Sequence, residues 1–191
     1  MSDKELIQLF NDGTLYASDI LIEKYKSLLY RLCNKLTKNI SDADDLFQDT
    51  WLKIFKNLNK YDTKSSFENW MYTICINTYK DKYNKKKRWL NLVKDYFSDD
   101  EKDIEWKRIE STDELPEDHI IEKENSDTIK EKVDSLDDKY RIPIILYYFK
   151  EFSYNEISEI LNIPIGTLKS RLNTGRKILK ELLKEVENHE G

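Results

Sequence analysis

An all-α protein is the fold class this sequence predicts, and three observations predict it. Four glycines and three prolines in 191 residues leave few places where a helix must stop. Charged residues make up 36% of the chain, and between them apolar residues recur every three or four positions. That is the spacing of one face of a helix. Serines also stand three residues ahead of an acid at Ser41–Asp44, Ser65–Glu68 and Ser153–Glu156, the pattern of a capping box. The expected architecture is two small helical domains, an N-terminal helical bundle over 1–92 and a C-terminal four-helix domain over 123–191. A flexible acidic linker over 93–122 joins them.

The elements follow in order. Glu5–Asn11 and Ala17–Lys38 read as helices, the second with Ile20, Leu21, Tyr25, Leu28, Leu29, Leu32, Cys33 and Leu36 on one side. Ser41 opens a third helix running to about Leu58, with Ala43, Phe47, Thr50, Ile54 and Leu58 inward. Its outer face carries Asp45, Gln48, Asp49 and Leu52 at i, i+3, i+4 and i+7. Acids mixed with an amide and an apolar residue suit docking onto a basic helix, or make a solvated face. A polar loop, Asn59–Ser66, precedes a helix over Phe67–Arg88. Phe67, Trp70, Met71, Ile74, Cys75, Thr78 and Tyr79 share its helical period, and it ends in the basic run Lys80, Lys82, Lys85, Lys86, Lys87 and Arg88. Clustered cations track phosphates, and neighbouring rings offer stacking faces worth about 1–3 kcal/mol per base. Trp70 lies on the apolar stripe, so core packing and base stacking both remain open for it.

Charge is segregated along the chain. Residues 1–90 carry 16 basic and 12 acidic side chains, residues 91–127 carry 5 and 14, and residues 128–191 carry 11 of each. A net charge of −5 therefore does not exclude a polyanion as partner. The acidic stretch, with Pro116 and no apolar period, reads as a linker, either a solvated spacer or a strand for a basic channel.

Residues 153–180 carry the most specific pattern. Ser153 and Glu156 start a helix with Ile157, Ile160 and Leu161 inward. Asn162 tolerates the left-handed backbone that ends it, and Pro164 suits the first position of the next. That next helix has Ile165, Leu168, Leu172, Ile178 and Leu179 inward. Lys169, Arg171, Arg176, Lys177 and Lys180 face outward, with no acid between Ile165 and Lys180. This is a helix-turn-helix whose second helix fits the major groove of DNA. Upstream, Pro143 interrupts a segment that otherwise reads as helix, which calls for a first-turn position or a kink.

Taken together, these motifs resemble the extracytoplasmic-function (ECF) subfamily of bacterial RNA polymerase sigma factors over nearly the whole length. Asp44 through Trp51 is similar to the family's core-polymerase docking motif. Phe67 through Tyr72, with Asn77 and Asp81, is similar to its promoter-melting helix. Tyr154–Ile157 with Gly166–Leu172 is similar to its minus-thirty-five reader. The resemblance implies that Asp45, Gln48, Asp49, Leu52 and Phe55 dock on the polymerase's clamp helices. It implies minus-ten contacts from Asn59, Tyr61, Ser66, Trp70, Asn77, Lys80, Lys85, Lys86, Lys87 and Arg88, with Asn59, Tyr61 and Ser66 walling a pocket for a flipped base. It implies minus-thirty-five contacts from Thr167, Lys169, Ser170, Arg171, Asn173 and Arg176. Lys169 and Asn173 would approach bases, and Arg171 and Arg176 would hold phosphates. Leu146, Tyr147 and Phe149 would be divided between core and the polymerase flap. Asn173 and Thr174 depart from the more basic or aromatic pair of many members, so no promoter sequence carries across.

The implied partners are bacterial core RNA polymerase, promoter DNA and an anti-sigma factor, the last with membrane anchoring left open. The alternative is a stand-alone dimeric helix-turn-helix regulator, which leaves the docking helix and the acidic linker without a purpose. No catalytic constellation, metal cluster or cofactor motif is read, so an enzyme is not expected. No apolar run long enough to span a membrane and no signal peptide are read. Cys33 and Cys75 are expected as buried core residues, and the location as a reducing cytoplasm.

Overall fold

The computed structural model describes residues 1–14, 16–62, 66–97, 129–149 and 151–187, without the side chains of 86–88, 90–97, 149 and 185–187. All regular structure among them is helical. The chain divides into two compact units, Met1–Asp113 and Glu114–Gly191. The linker expectation for 93–122 lies mostly outside the described residues.

Four helices and a short 3-10 turn build the N-terminal unit. Helix α1 (Asp3–Asn11) opens with a capping box that was not read from the sequence: Ser2 Oγ accepts from the Glu5 N–H, and the Glu5 carboxylate accepts from the Ser2 N–H. Those bonds hold the Glu5 carboxyl below its usual pKa. Helix α2 spans Tyr16–Leu36. Helix α3 (Ile40–Asn57) is capped by Asn39, whose Oδ1 accepts from the Asp42 N–H at 2.8 Å. The expected cap, Ser41, instead sits within the first turn. A 3-10 turn, Leu58–Lys60, follows. Helix α4 (Phe67–Phe97) is capped by Ser66, whose Oγ accepts from the Asn69 N–H at 3.1 Å. The expected cap, Ser65, lies outside the described residues. Helix α4 runs nine residues past Arg88 because nothing between Trp89 and Phe97 stops it; the stretch contains neither glycine nor proline.

Helices α2, α3 and α4 pack against one another, and α1 lies against α2 and the 3-10 turn. Leu21, Leu29 and Leu32 of α2 meet Leu46 and Ile54 of α3 and Phe67, Met71 and Ile76 of α4 in a fully buried core. Burying each such side chain contributes about 1.5–3 kcal/mol. Thr50 and Thr78 are buried without penalty because each hydroxyl donates to the carbonyl four residues back, Leu46 and Ile74. Tyr25 fastens α1 to α2 by donating to Asp3 at 2.7 Å. Cys33 and Cys75 are buried free thiols 3.8 Å apart. The Cys75 thiol and burial together push the Cys33 pKa far up, so it stays protonated.

The C-terminal unit contains α5 (129–135), α6 (Asp138–Ile144), α7 (Tyr154–Leu161) and α8 (Ile165–Glu187). Asp137 caps α6, so Pro143 falls in its second turn rather than its first. Its missing N–H deprives the Lys139 carbonyl of a helical donor, and the backbone widens directly afterwards into a π-turn, Ile145–Phe149. Helix α7 keeps the expected Ser153–Glu156 box, with Asn162 left-handed at φ 50° behind it. Pro164 stands one residue before α8 rather than at its first position, and its carbonyl accepts from the Leu168 N–H.

Leu146, Ile157, Ile160, Leu168 and Leu172 form the core of this unit. Ile165, expected inward, is 39% exposed at the start of α8. Arg141 is buried, a burden no pattern announced. Its guanidinium is satisfied by Asp138 at 2.8 and 2.9 Å and by Asp134 on α5 at 3.4 Å. Gly175 lets α8 approach α6 closely. A Cβ there would stand 2.7 Å from Ile144 Cδ1 and 3.2 Å from Tyr140 Cβ.

Candidate docking and nucleic-acid interfaces

The outer face of α3 is fixed by what its inner face buries. With Leu46, Thr50, Trp51 and Ile54 turned into the core, Asp45, Gln48 and Leu52 are exposed and Asp49 is half-exposed. Leu52 is 68% exposed in the middle of a helix, so it does no packing work within this unit. Phe55, expected beside it, is half-buried in an aromatic row along the side of α3. Its ring stacks on Phe10 at 5.4 Å and on Trp51 at 5.5 Å, and the row continues through Phe47 to Tyr30. That row stiffens the helix that presents the acids. The acids themselves already have a partner. Lys82, projecting from α4, sits 2.7 Å from Asp49 and 3.9 Å from Asp45, while Lys53 of α3 reaches Asp81 of α4 at 3.2 Å.

On α4, Asn77 and Lys85 are exposed and Lys80 is half-buried. Lys86, Lys87 and Arg88 continue the same helix, and their side chains lie outside the described residues. Between these cations, Tyr79 and the exposed Tyr83 stack at 6.3 Å and 18° between planes, and Trp89 is exposed beyond them. Tyr83 and Trp89 were not singled out from the sequence. The Tyr79–Tyr83 spacing of four, which puts both rings on one helix face, was the available signal.

The loop ahead of α4 is gathered by aromatic rings. Tyr61 contacts Trp70 at 5.2 Å and Phe67 edge-on at 5.7 Å. Burial, with Asp3 and Asp62 nearby, raises the Tyr61 phenol. Phe67 is core, while Trp70 is half-buried, with one part in the cluster and one part accessible. Asn59 is exposed. Ser66 is exposed and caps α4 by accepting from the Asn69 N–H.

In the C-terminal unit, Leu168 and Leu172 point inward, leaving Lys169, Ser170 and Asn173 exposed and Thr167 and Arg171 half-buried on α8. A shallow groove of about 480 Å³ runs between α6 and α8, lined by Lys139, Tyr140, Thr167, Ser170, Arg171 and Thr174. Arg176, expected on phosphates, is folded back instead. Its guanidinium lies over the rings of Tyr147 at 5.1 Å and Tyr148 at 5.5 Å, and Tyr147 in turn packs on Tyr154. This cage ties the π-turn and α7 to α8. Leu146 is core and Tyr147 belongs to the cage, whereas Tyr148 faces outward. The Phe149 side chain lies outside the described residues. Among the described residues no group of three His, Cys, Asp or Glu could hold a metal ion, and no helix is long and apolar enough to cross a membrane.

A basic helix-turn-helix in one unit, and in the other a helix with an exposed acidic face beside a cationic, aromatic one, are the features of a DNA-binding protein. Residues 21–89 match the family model "Sigma-70 region 2", and residues 126–179 match "Sigma-70, region 4". The chain is 34% identical over 191 residues to the ECF RNA polymerase sigma factor SigW of Bacillus subtilis, covering 97% of this chain and 99% of that one. It is 27% identical to the RNA polymerase sigma-H factor of Pseudomonas aeruginosa, over 96% and 97% of the two chains. Among solved structures, the sigma factor RpoE of Bartonella quintana, in complex with the anti-sigma factor NepR, is 25% identical with a TM-score of 0.64, over 87% of this chain and 96% of that one. CnrH, in complex with the cytosolic domain of CnrY, shares the fold at 18% identity with a TM-score of 0.66, over 96% and 97%. The chain belongs to the ECF sigma factors of bacterial RNA polymerase, which are initiation factors rather than enzymes. It serves promoter-specific transcription initiation by that polymerase.

Proposed function

We propose that this protein docks on core polymerase through α3 and reads the two promoter elements with α4 and α8. One observation carries the reading: the most exposed leucine of α3, Leu52, shares its face with Asp45, Gln48 and Asp49. A carboxylate and amide face with one apolar contact suits the arginine side chains of a clamp helix, because charge-assisted hydrogen bonds are the strong ones. On the minus-ten side, Asn77, Lys80 and Lys85 meet phosphates, with Lys86, Lys87 and Arg88 continuing the track. Asn59, Tyr61 and Ser66, with Trp70 beside them, receive an extruded base, whose unstacking costs a few kcal/mol and must be offset there. On the minus-thirty-five side, Lys169, Ser170 and Asn173 approach base edges, while Thr167 and Arg171 hold backbone. Tethering both units to one polymerase turns two weak DNA contacts into one spacing-dependent contact.

The same exposed faces make the free protein a target for an anti-sigma factor in the cytoplasm, which fits the company that RpoE keeps in its structure. Run-off transcription tests the reading, using purified bacterial core polymerase and a promoter pool that includes the DNA upstream of this protein's own gene. Transcripts that appear only when the protein is added are expected. Failure to bind core polymerase would overturn the docking assignment.

A further inference from the structure

Three ion pairs seen between α3 and α4 among the described residues join the two faces that the proposed function keeps separate. Lys82 belongs by sequence to the basic run of α4, three residues before Lys85 and two after Lys80. By position, however, its ammonium sits on the acidic face of α3, 2.7 Å from Asp49 and 3.9 Å from Asp45. The Lys82, Asp45 and Asp49 side chains are 42%, 68% and 43% exposed, so solvent screens the pairs and side-chain rotation breaks them easily. Asp81, the one acid within the basic run, is withdrawn from it by Lys53 at 3.2 Å.

We infer that Lys82 is a shared cation that couples polymerase docking to promoter binding. In the free protein it neutralises the docking acids and is withheld from DNA. When arginines of a docking partner take Asp45 and Asp49, Lys82 loses its carboxylates and is repelled by the arriving cations. The nearest site for an ammonium on that helix is the phosphate track beginning at Lys80 and Lys85. Any displacement that docking causes must, by linkage, be matched by an equal effect of DNA on docking. Docking therefore strengthens DNA binding through one more phosphate contact, without any change of fold.

This inference rests on the docking role proposed for α3, and two variants separate the two ideas. Affinity for purified core polymerase is measured for the wild type, Lys82→Ala and Asp49→Ala, at low and at high salt. Affinity of each assembled holoenzyme for promoter DNA is measured across a salt series. Lys82→Ala is expected to bind polymerase about two- to five-fold more tightly at low salt, the range of an exposed ion pair, with the gain shrinking as salt rises. Its holoenzyme is expected to bind promoter more weakly, with a salt dependence lowered by about one phosphate contact. Lys82→Arg should restore both. Polymerase binding by Lys82→Ala that is unchanged or weaker would overturn the inference, as would an unchanged salt slope on DNA. If Asp49→Ala bound polymerase like the wild type, the docking assignment itself would fall.

Discussion

Two helices in this molecule hold an exposed polar face outward, and they are held in place by different means. Helix α3 rests on hydrocarbon and rings: Leu46 and Ile54 in the core, with the Phe10–Phe55–Trp51–Phe47 row along its side. Helix α8 rests on a smaller apolar strip, Leu168 and Leu172, helped by the tyrosine cage around Arg176. In the same unit Arg141 is buried against Asp138 and Asp134. The difference follows from size. The C-terminal unit is the smaller of the two and buries a smaller share of its surface, so polar clasps supplement its core. A clasp of this kind is more easily broken by loss of one partner than by replacement of both.

Four changes would break or sharpen that contrast. The largest effect is expected in the hydrocarbon core. Leu29 is fully buried, and Leu29→Ala should cost about 3 kcal/mol in urea unfolding followed by tryptophan fluorescence. That probe is clean because the described part of the C-terminal unit contains no tryptophan. A cost under about 1 kcal/mol, the range of an ordinary surface substitution, would deny that α2 anchors the bundle.

Next, Asp138→Ala removes the 2.8 and 2.9 Å contacts of the buried Arg141 guanidinium. A loss of about 2–3 kcal/mol is expected in the helical signal of the C-terminal unit, with the tryptophan transition unmoved. Arg141→Met, which removes the charge altogether, should cost less. The reverse order would mean that the pair contributes attraction rather than specificity.

Smaller again is the turn between α7 and α8. Asn162→Ala should cost about 1 kcal/mol, because alanine pays for a left-handed φ of 50° that asparagine tolerates, whereas Asn162→Gly should be near neutral. Equal melting temperatures for the alanine and glycine variants would remove the strain argument.

The smallest effect is at high pH. Burial first, then the hydrogen bond to Asp3, raises the Tyr25 phenol above its ordinary value of 10.0. A pKa raised in the folded state gives stability that is fully present below the unfolded value and is lost as pH rises through the folded one. The N-terminal unit should therefore begin to weaken above about pH 10, and Tyr25→Phe should flatten that decline without altering the C-terminal unit. An unchanged alkaline limb in Tyr25→Phe would assign the loss to other groups.

The readable parts of this chain are those whose causes are local. The Ser153–Glu156 box and the left-handed Asn162 depend on a few neighbouring residues, so the helix-turn-helix was legible to within a residue. The exposed Asp45, Gln48 and Leu52 followed from helical period alone. Caps moved by one or two positions, to Asn39 and Ser66, because several polar residues compete there and the core decides among them. The surroundings of Phe55, Arg176 and Arg141 were not legible for another reason. Each answers to a partner distant in sequence or across a turn: Phe10, the Tyr147–Tyr148 pair and Asp134. The length of α4 was underread because a change of composition was taken for a change of structure, whereas only missing hydrogen bonds or backbone strain end a helix.

Gly175 has an evolutionary consequence. Every single-base change in a glycine codon that alters the residue adds at least a Cβ or stops the chain. Here a Cβ meets Ile144 at 2.7 Å and Tyr140 at 3.2 Å. Helix α8 is thus held from behind at a position where any side chain requires Ile144 and Tyr140 to shift, while Lys169, Ser170 and Asn173 in front of it are exposed. Substitutions on the exposed face can be sampled without the helix changing its seat. Lineages descended from this protein would then diverge on the exposed face of α8 long before they diverge in how that helix is mounted.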